Sequence, residues 1–238
     1  MIYNYKISDG NRDAVFDYIN SKRKEGIFTV IDIGGTIEGW SAPIVDAIMD
    51  FNFPSKTKKE YKDEDLTIFV ADITNPNQWS EILSFVEKNG KFDFCICCHT
   101  LEDIMNPGFV CEQISKISKE GYIATPSKHN ELSIFEAYYL IKTKYNPETI
   151  ICYGHKGYMH HRWIFAINDN TLIGFPKIGY LETSKIFNII ASTEQNIADL
   201  SFFWKDNIEF KYINNNYLGP TSKDIVLYYN NLLEDDYI

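Results

Sequence analysis

The stretch "FTVIDIGG", residues 28–35, constrains the fold more than any other feature of this chain. It is an almost unbroken apolar, β-branched run that stops on glycines, and it has no polar face. Such a run fits a strand buried on both sides, the situation in a parallel sheet covered by helices above and below. The segments that follow keep to that plan. "VDAIMDF" and "LTIFVADI" are further apolar runs ending near acids, and "NQWSEILSFVEKNG" carries Trp79, Ile82, Leu83 and Val86 at helical spacing with Gly90 as its stop. "FDFCICCHT" returns to strand character. "PGFVCEQISKISKEG" is helical, with Phe109, Val110, Ile114 and Ile117 on one face, and "YIATP" is again a strand before a helix expected in "ELSIFEAYYLIKTKY". Strands alternating with helices imply right-handed crossovers and a doubly wound α/β domain.

The pattern changes after residue 150. "TIICYGH", "HRWIFAI" and "TLIGFP" read as closely spaced strands, the last two joined across "NDN" in a hairpin. That antiparallel hairpin is expected to finish the sheet. The remainder, with "SFFWKDNIEFKYI" and "SKDIVLYYNNLL", reads as an addition packed on the domain edge. The expectation is therefore a single domain over residues 1–238, its core at about 28–180 and a C-terminal addition at 181–238. "SKTKKEYKDED", residues 55–65, reads as a solvated loop.

Composition narrows the function classes. With 23 basic and 33 acidic residues the net charge is −10, so the mean field repels nucleic-acid phosphates and anionic membranes. No apolar run approaches the roughly 20 residues of a membrane span, and the opening "MIYNYKISDGNRD" lacks a secretion-signal pattern, so a cytoplasmic location is expected. Of five cysteines, Cys95, Cys97 and Cys98 crowd into one expected strand without a second pair to complete a zinc site. They read as reduced core residues.

Gly34, Gly35 and Gly39 fall where an open α/β sheet brings backbone close to a ligand. A dinucleotide turn would read G-x-G-x-x-G and lead into a helix; here the spacing is G-G-x-x-x-G, with Pro43 soon after. An acid at Asp32 makes better sense beside a positively charged ligand, and S-adenosylmethionine carries both a sulfonium and an ammonium. "VIDIGGTIEGW" resembles the first motif of the class I S-adenosylmethionine-dependent methyltransferases, in a variant with a tryptophan, Trp40, after the turn and with departures at Thr36 and Glu38. The resemblance covers about residues 28–175. It implies that Asp32, Gly34, Gly35, Trp40 and His99 border the cofactor. It further implies that Asp50, eighteen residues beyond Asp32, accepts from the ribose hydroxyls, and that Asp72 meets the adenine amino group while Ile73 packs on the ring. The elements and the resemblance together give the expected fold class: α/β, doubly wound, a mainly parallel seven-stranded sheet with helices on both faces and a terminal antiparallel hairpin.

Methyl transfer needs a nucleophile held behind the methyl group and, for an alcohol, a group to handle its proton. All five histidines lie between residues 99 and 161. His99, accompanied by Glu102 and Asp103, is delivered by the fourth strand of the motif series; His129 and Glu131 follow the fifth; His160 and His161 precede another strand, with one of the two expected to face the site. His99, His129, Glu131 and His160 are thus the catalytic candidates. Asp103, His129, Glu131, His160 and His161 are candidate ligands for a divalent cation such as Mg or Mn. A histidine base and a metal-activated hydroxyl both fit these groups. The expected acceptor is a small-molecule or carbohydrate hydroxyl, because the stretch after the fourth strand reads "CHTL" and lacks the N/D-P-P-Y/F pattern of amino-directed nucleic-acid methyltransferases. A nucleotide-cofactor oxidoreductase would need a pyrophosphate turn, and usually a Tyr-x-x-x-Lys pair that "YGHKGY" does not supply. A non-catalytic binding protein on the same fold is the other alternative.

Overall fold

The computed structural model of the chain describes residues 1–51, 66–134, 140–141, 149–150, 156–187, 189–190, 197–213, 221–234 and 236–238. The loop read at 55–65, most of the helix read at 131–145, most of the strand read in "TIICYGH", and His155 lie outside the described residues.

The chain opens with β1 (Ile2–Ser8) and α1 (Arg12–Glu25), then β2 (Val30–Ile33), β3 (Ala47–Asp50) and β4 (Thr67–Val70). Next come α2 (Ser80–Asn89), β5 (Phe92–Cys98), α3 (Pro107–Ile117), β6 (Ser118–Pro126) and the short α4 (Lys128–Leu132). Local chemistry sets these boundaries. Asn106 accepts from Phe109 N ahead of Pro107 to start α3, and Gly90, at φ +89°, turns its N–H back to Val86 O to end α2.

The main sheet continues with a strand from far along the chain, β9 (Asp199–Lys205), reached after the hairpin β7 (Trp163–Asn168) and β8 (Thr171–Pro176) and the helix α5 (Gly179–Thr183). Its order is β1-β9-β6-β5-β2-β3-β4. Strands β2 to β6 are mutually parallel, and β9 runs antiparallel between β6 and β1. This is the mainly parallel seven-stranded α/β sheet expected from the sequence.

The continuous apolar runs are explained by two-sided burial. Val30, Phe94 and Ile96 face α1, packing with its Val15 and Ile19, whereas Ile31, Cys95 and Cys97 face α2 and α3, packing with Ile82, Val110 and Ile114. Each such buried side chain contributes about 1.5–3 kcal/mol. Cys95 and Cys97 are free and buried, as the core reading requires, whereas Cys98 is free but only half-buried; Cys111 is also free and buried, and burial lifts these thiols above the ordinary range.

Two expectations about the second half are corrected. The hairpin forms as expected, with Asp169 and Asn170 both at positive φ as a two-residue primed turn needs. It does not join the main sheet, however: β8 pairs with β10 (Phe210–Tyr212) in a separate three-stranded sheet. The antiparallel place beside β6 is taken by β9, which lies inside the region read as an edge addition. Leu200, Phe202 and Trp204 on its one face are fully buried, so that strand is integral to the core. Further along, α6 (Ser222–Asn231) packs Tyr229 against Phe175 and Phe187 beside the hairpin.

From β2 the sheet grows one way through β3 and β4, and the other way through β5 and β6. The loops leaving β2 and β5 therefore part at their carboxyl ends, where an open α/β sheet forms its ligand crevice.

Candidate active site

β2 ends at Ile33, and Gly34 (φ +80°) donates its N–H to Met49 O at 2.8 Å. A Cβ on Gly34 would come within 2.3 Å of the Thr100 hydroxyl, and one on Gly35 within 2.2 Å of the Asp32 carboxylate. The glycines are needed because the turn folds back over its own acid. Asp32 is buried beneath the turn, where it accepts a hydrogen bond from Ser41 Oγ. Burial pushes its carboxyl up to about 7, with the Ser41 hydroxyl opposing and the Asp50 charge adding to the rise. Asp32 and Gly35 are not among the residues lining the crevice, so the expectation that Asp32 faces a cationic ligand is replaced by one in which it shapes the turn from below. Trp40 is corrected too: its ring packs edge-on against Phe16 of α1 at 5.7 Å and under the Arg12 guanidinium at 5.4 Å, away from the crevice.

The crevice is a cavity of about 310 Å³ at the carboxyl ends of β2 to β5. Of the residues expected to border a cofactor, Gly34, Asp50, Asp72, Ile73 and His99 line it. Asp50 arrives as the last residue of β3, and Asp72 and Ile73 follow β4. The Asp72 backbone N–H donates to Gln78 Oε1 at 2.6 Å, and its Oδ1 accepts from Thr74 N and Oγ1 at 2.8 and 2.7 Å, which sets the direction of the carboxylate. Phe51, Thr100, Ile104, Met105 and Arg162 also form part of the wall. These were not singled out as cofactor contacts, although Phe51 and Met105, at 71% and 72% exposure, are large apolar residues left at a rim.

A second cavity, of about 340 Å³, adjoins the first and shares His99 and Asp103 with it. His99 follows β5 in the left-handed region at φ +49°. Its Nε2 lies 3.4 Å from Asp199 Oδ2 and its Nδ1 3.5 Å from Glu102 Oε1. Asp199 first and Glu102 second raise its pKa to about 10 against the pull of burial, so the ring is an imidazolium at neutral pH. That corrects the expectation of a histidine base at this position, because the protonated ring has no lone pair to accept a proton. Asp199 opens β9 and was missed, since nothing near it in sequence marks an interior strand.

The far wall of the second cavity is held by hydrogen bonds between two loops. Arg162 N, Arg162 Nε and Trp163 Nε1 donate to the carbonyls of Glu102, Asp103 and Ile104 at 2.6, 3.1 and 2.8 Å. Arg162 thus binds carbonyls of the facing loop. This lacing sets His160 and His161 opposite Asp103, and both histidines line the cavity. The alternation rule that would turn one of them away does not apply, because they precede β7 and lie in a turn. His161 Nδ1 is 2.5 Å from Glu131 Oε1, and Glu131 Oε2 accepts from Lys177 Nζ at 2.8 Å. Gly157, at φ +57°, permits this packing, since a Cβ there would sit 2.4 Å from Glu131 Oε2. Both Glu131 oxygens are thus engaged, one by His161 and one by Lys177. His129 lines neither cavity; from the same short helix it is Asn130 that reaches the second one. Burial, then the charge of Lys128, lowers the His129 pKa. Among the described residues, no helix is long and apolar enough to cross a membrane.

No family model matches the chain, and no curated protein matches it either. Solved structures do. One is an S-adenosylmethionine dependent methyltransferase from Mesorhizobium loti, 13% identical, with 55% of this chain matched to 61% of that one and a TM-score of 0.36. The N-terminal domain of EvdMO1 with SAH bound is 11% identical over 79% of each chain, TM-score 0.38. WbdD is 11% identical over 87% of this chain and 45% of that one, TM-score 0.40. The chain thus spans less than two thirds of the Mesorhizobium loti and WbdD chains. Likenesses at these scores assign neither substrate nor activity.

Proposed function

We propose that the protein transfers a methyl group from S-adenosylmethionine, held in the first cavity, to a hydroxyl of a small-molecule or carbohydrate acceptor held in the second. The observation that carries the reading is the junction of the two cavities at His99 and Asp103, with the motif residues Asp50, Asp72 and Ile73 on one side and a histidine and carboxylate wall on the other. The first cavity falls in the usual size range of ligand sites, about 300–1,000 Å³. Its acids stand at two strand ends as acceptors for ribose hydroxyls and an adenine amino group, and Ala71, Ile73 and Ile104 give an apolar surface for the ring. A dinucleotide fits worse. The link from β2 to β3 contains only the 3-10 turn Ala42–Ile44, so no helix N-terminus faces the glycine turn to meet a pyrophosphate.

When bound, the cosubstrate supplies an electrophilic methyl group on a sulfonium. The chain's residues do the rest. Asp50 and Asp72 orient the nucleoside, and His99, an imidazolium held between Asp199 and Glu102, sets a fixed positive charge at the junction. The acceptor hydroxyl must lose its proton as its oxygen bonds to carbon; the lone pairs offered on its side are Nε2 of His160, Nε2 of His161 and Oδ1 of Asp103. Titration calorimetry with S-adenosylmethionine, S-adenosylhomocysteine and NAD tests the assignment. Binding of the first two and not of NAD is expected. Binding of none, or of NAD alone, would refute it.

A further inference from the structure

We infer that Asp103, His160 and His161 form a binding site for a divalent first-row transition ion inside the second cavity. His160 Nε2 and His161 Nε2 each lie 3.8 Å from Asp103 Oδ1, and no two of the three ligand atoms are more than 4.8 Å apart. A separation of 3.8 Å is too long for a hydrogen bond, yet it suits two donors sharing one ion at about 2.0–2.2 Å each. His160, with 68% of its side chain exposed, is free to close the remaining gap. His161 has the support that a ligating histidine ordinarily has: with Nδ1 tied to the buried Glu131, and Glu131 tied to Lys177, its Nε2 is fixed as the lone-pair nitrogen facing Asp103.

Charge points the same way. Glu102, Asp103, Asp199 and Glu131 surround this wall, against the three cations His99, Lys177 and Arg162, which leaves one negative charge when both ligating histidines are neutral. Glu102 is only 1% exposed and neither of its oxygens has a hydrogen-bond partner; its nearest counter-charge is His99. A buried carboxylate left in that state on the wall of a cavity is strongly unfavourable, and a cation alongside would offset it.

Two imidazoles and one carboxylate select Mn, Fe, Co, Ni or Zn over Mg, and three protein ligands leave positions open for oxygens of an acceptor. Of the candidate ligands read from the sequence, His129 drops out and Glu131 becomes the support of a ligand. The ion's part in acceptor binding rests on the methyl-transfer reading; its binding to the protein does not.

The test uses Mn²⁺ alone, followed by the loss of the free-ion EPR signal, on the untagged, chelator-treated chain. One ion per chain is expected, weakened roughly tenfold or more by Asp103→Asn and by His160→Gln, and unchanged by His129→Gln. Glu131→Gln should weaken it by about 10–100-fold. His160→Gln is the decisive variant, because its exposed side chain does not threaten folding, which circular dichroism checks. Absence of binding up to millimolar Mn²⁺, or binding indifferent to Asp103→Asn and His160→Gln, overturns the site. Calorimetry with S-adenosylhomocysteine on the metal-free chain separates the two ideas: nucleoside binding without Mn²⁺ binding sinks this inference alone, and the reverse sinks the methyl-transfer reading alone.

Discussion

Asp32→Asn separates an acid that faces a ligand from an acid that shapes a turn. In the folded chain the carboxyl is raised from 3.8 to about 7, chiefly by burial. At ~1.4 kcal/mol per tenfold change in proton affinity, the ionised form is disfavoured by about 4 kcal/mol relative to the unfolded chain. The sign follows from linkage. Above pH 7 both states are ionised and the penalty is full; as pH falls from 7 to 3.8 the native state takes up the proton first, so stability rises, and below 3.8 the penalty is gone. Asparagine keeps an oxygen for Ser41 Oγ and removes the charge, but buries an amide N–H group whose missing partner costs about 1–3 kcal/mol. The variant should therefore be more stable than the parent by about 1–3 kcal/mol at pH 8 and less stable by a similar amount at pH 4. Urea unfolding across that range, read as the difference between the two proteins, measures the crossover. Affinity for S-adenosylhomocysteine should stay within a few-fold. A stability difference independent of pH, or a folded variant that has lost nucleoside binding a hundredfold, would refute the reasoning.

Asp50→Ala should weaken S-adenosylhomocysteine binding by roughly 1.5–3 kcal/mol through lost charged hydrogen bonds; unchanged affinity by calorimetry would remove Asp50 from the site. Gly157→Ala sets a Cβ 2.4 Å from Glu131 Oε2 at positive φ and should destabilise the fold by about 1–3 kcal/mol, seen as a lower Tm, whereas Gly26→Ala, where a Cβ meets nothing within 4 Å, should not. The His99 ring should titrate near 10 by NMR, and Asp199→Asn should lower that value. Since the folded pKa lies above the ordinary 6.5, the stabilisation from this group is complete below 6.5 and fades as pH rises to about 10; a parent ring titrating at or below 7 would contradict the pairing with Asp199 and Glu102.

What the sequence made legible follows from how far each signal reaches along the chain. Strands β2, β3, β5 and β6 were readable because burial on both faces makes each an apolar run, and Asp50, Asp72 and Ile73 were readable because a strand end carries its next residues to the crevice wherever the strand pairs. Asp199 was not readable, since the partner that makes β9 an interior strand is β6, more than seventy residues earlier. Trp40 misled because closeness to the glycine turn in sequence does not fix a face; Phe16 and Arg12 of α1 claim the ring. His129, after one expected strand, and His160, before another, were both read as catalytic candidates. Only the loop-to-loop hydrogen bonds from Arg162 and Trp163 show why one faces Asp103 and the other does not.

A crystal structure of the protein grown with S-adenosylhomocysteine addresses the two-cavity assignment directly. The account predicts the ribose on Asp50, the adenine between Asp72 and Ile73, and the sulfur directed at the junction formed by His99 and Asp103. A nucleoside bound elsewhere, or a first cavity closed over by Phe51 and Met105 with nothing inside, would contradict it.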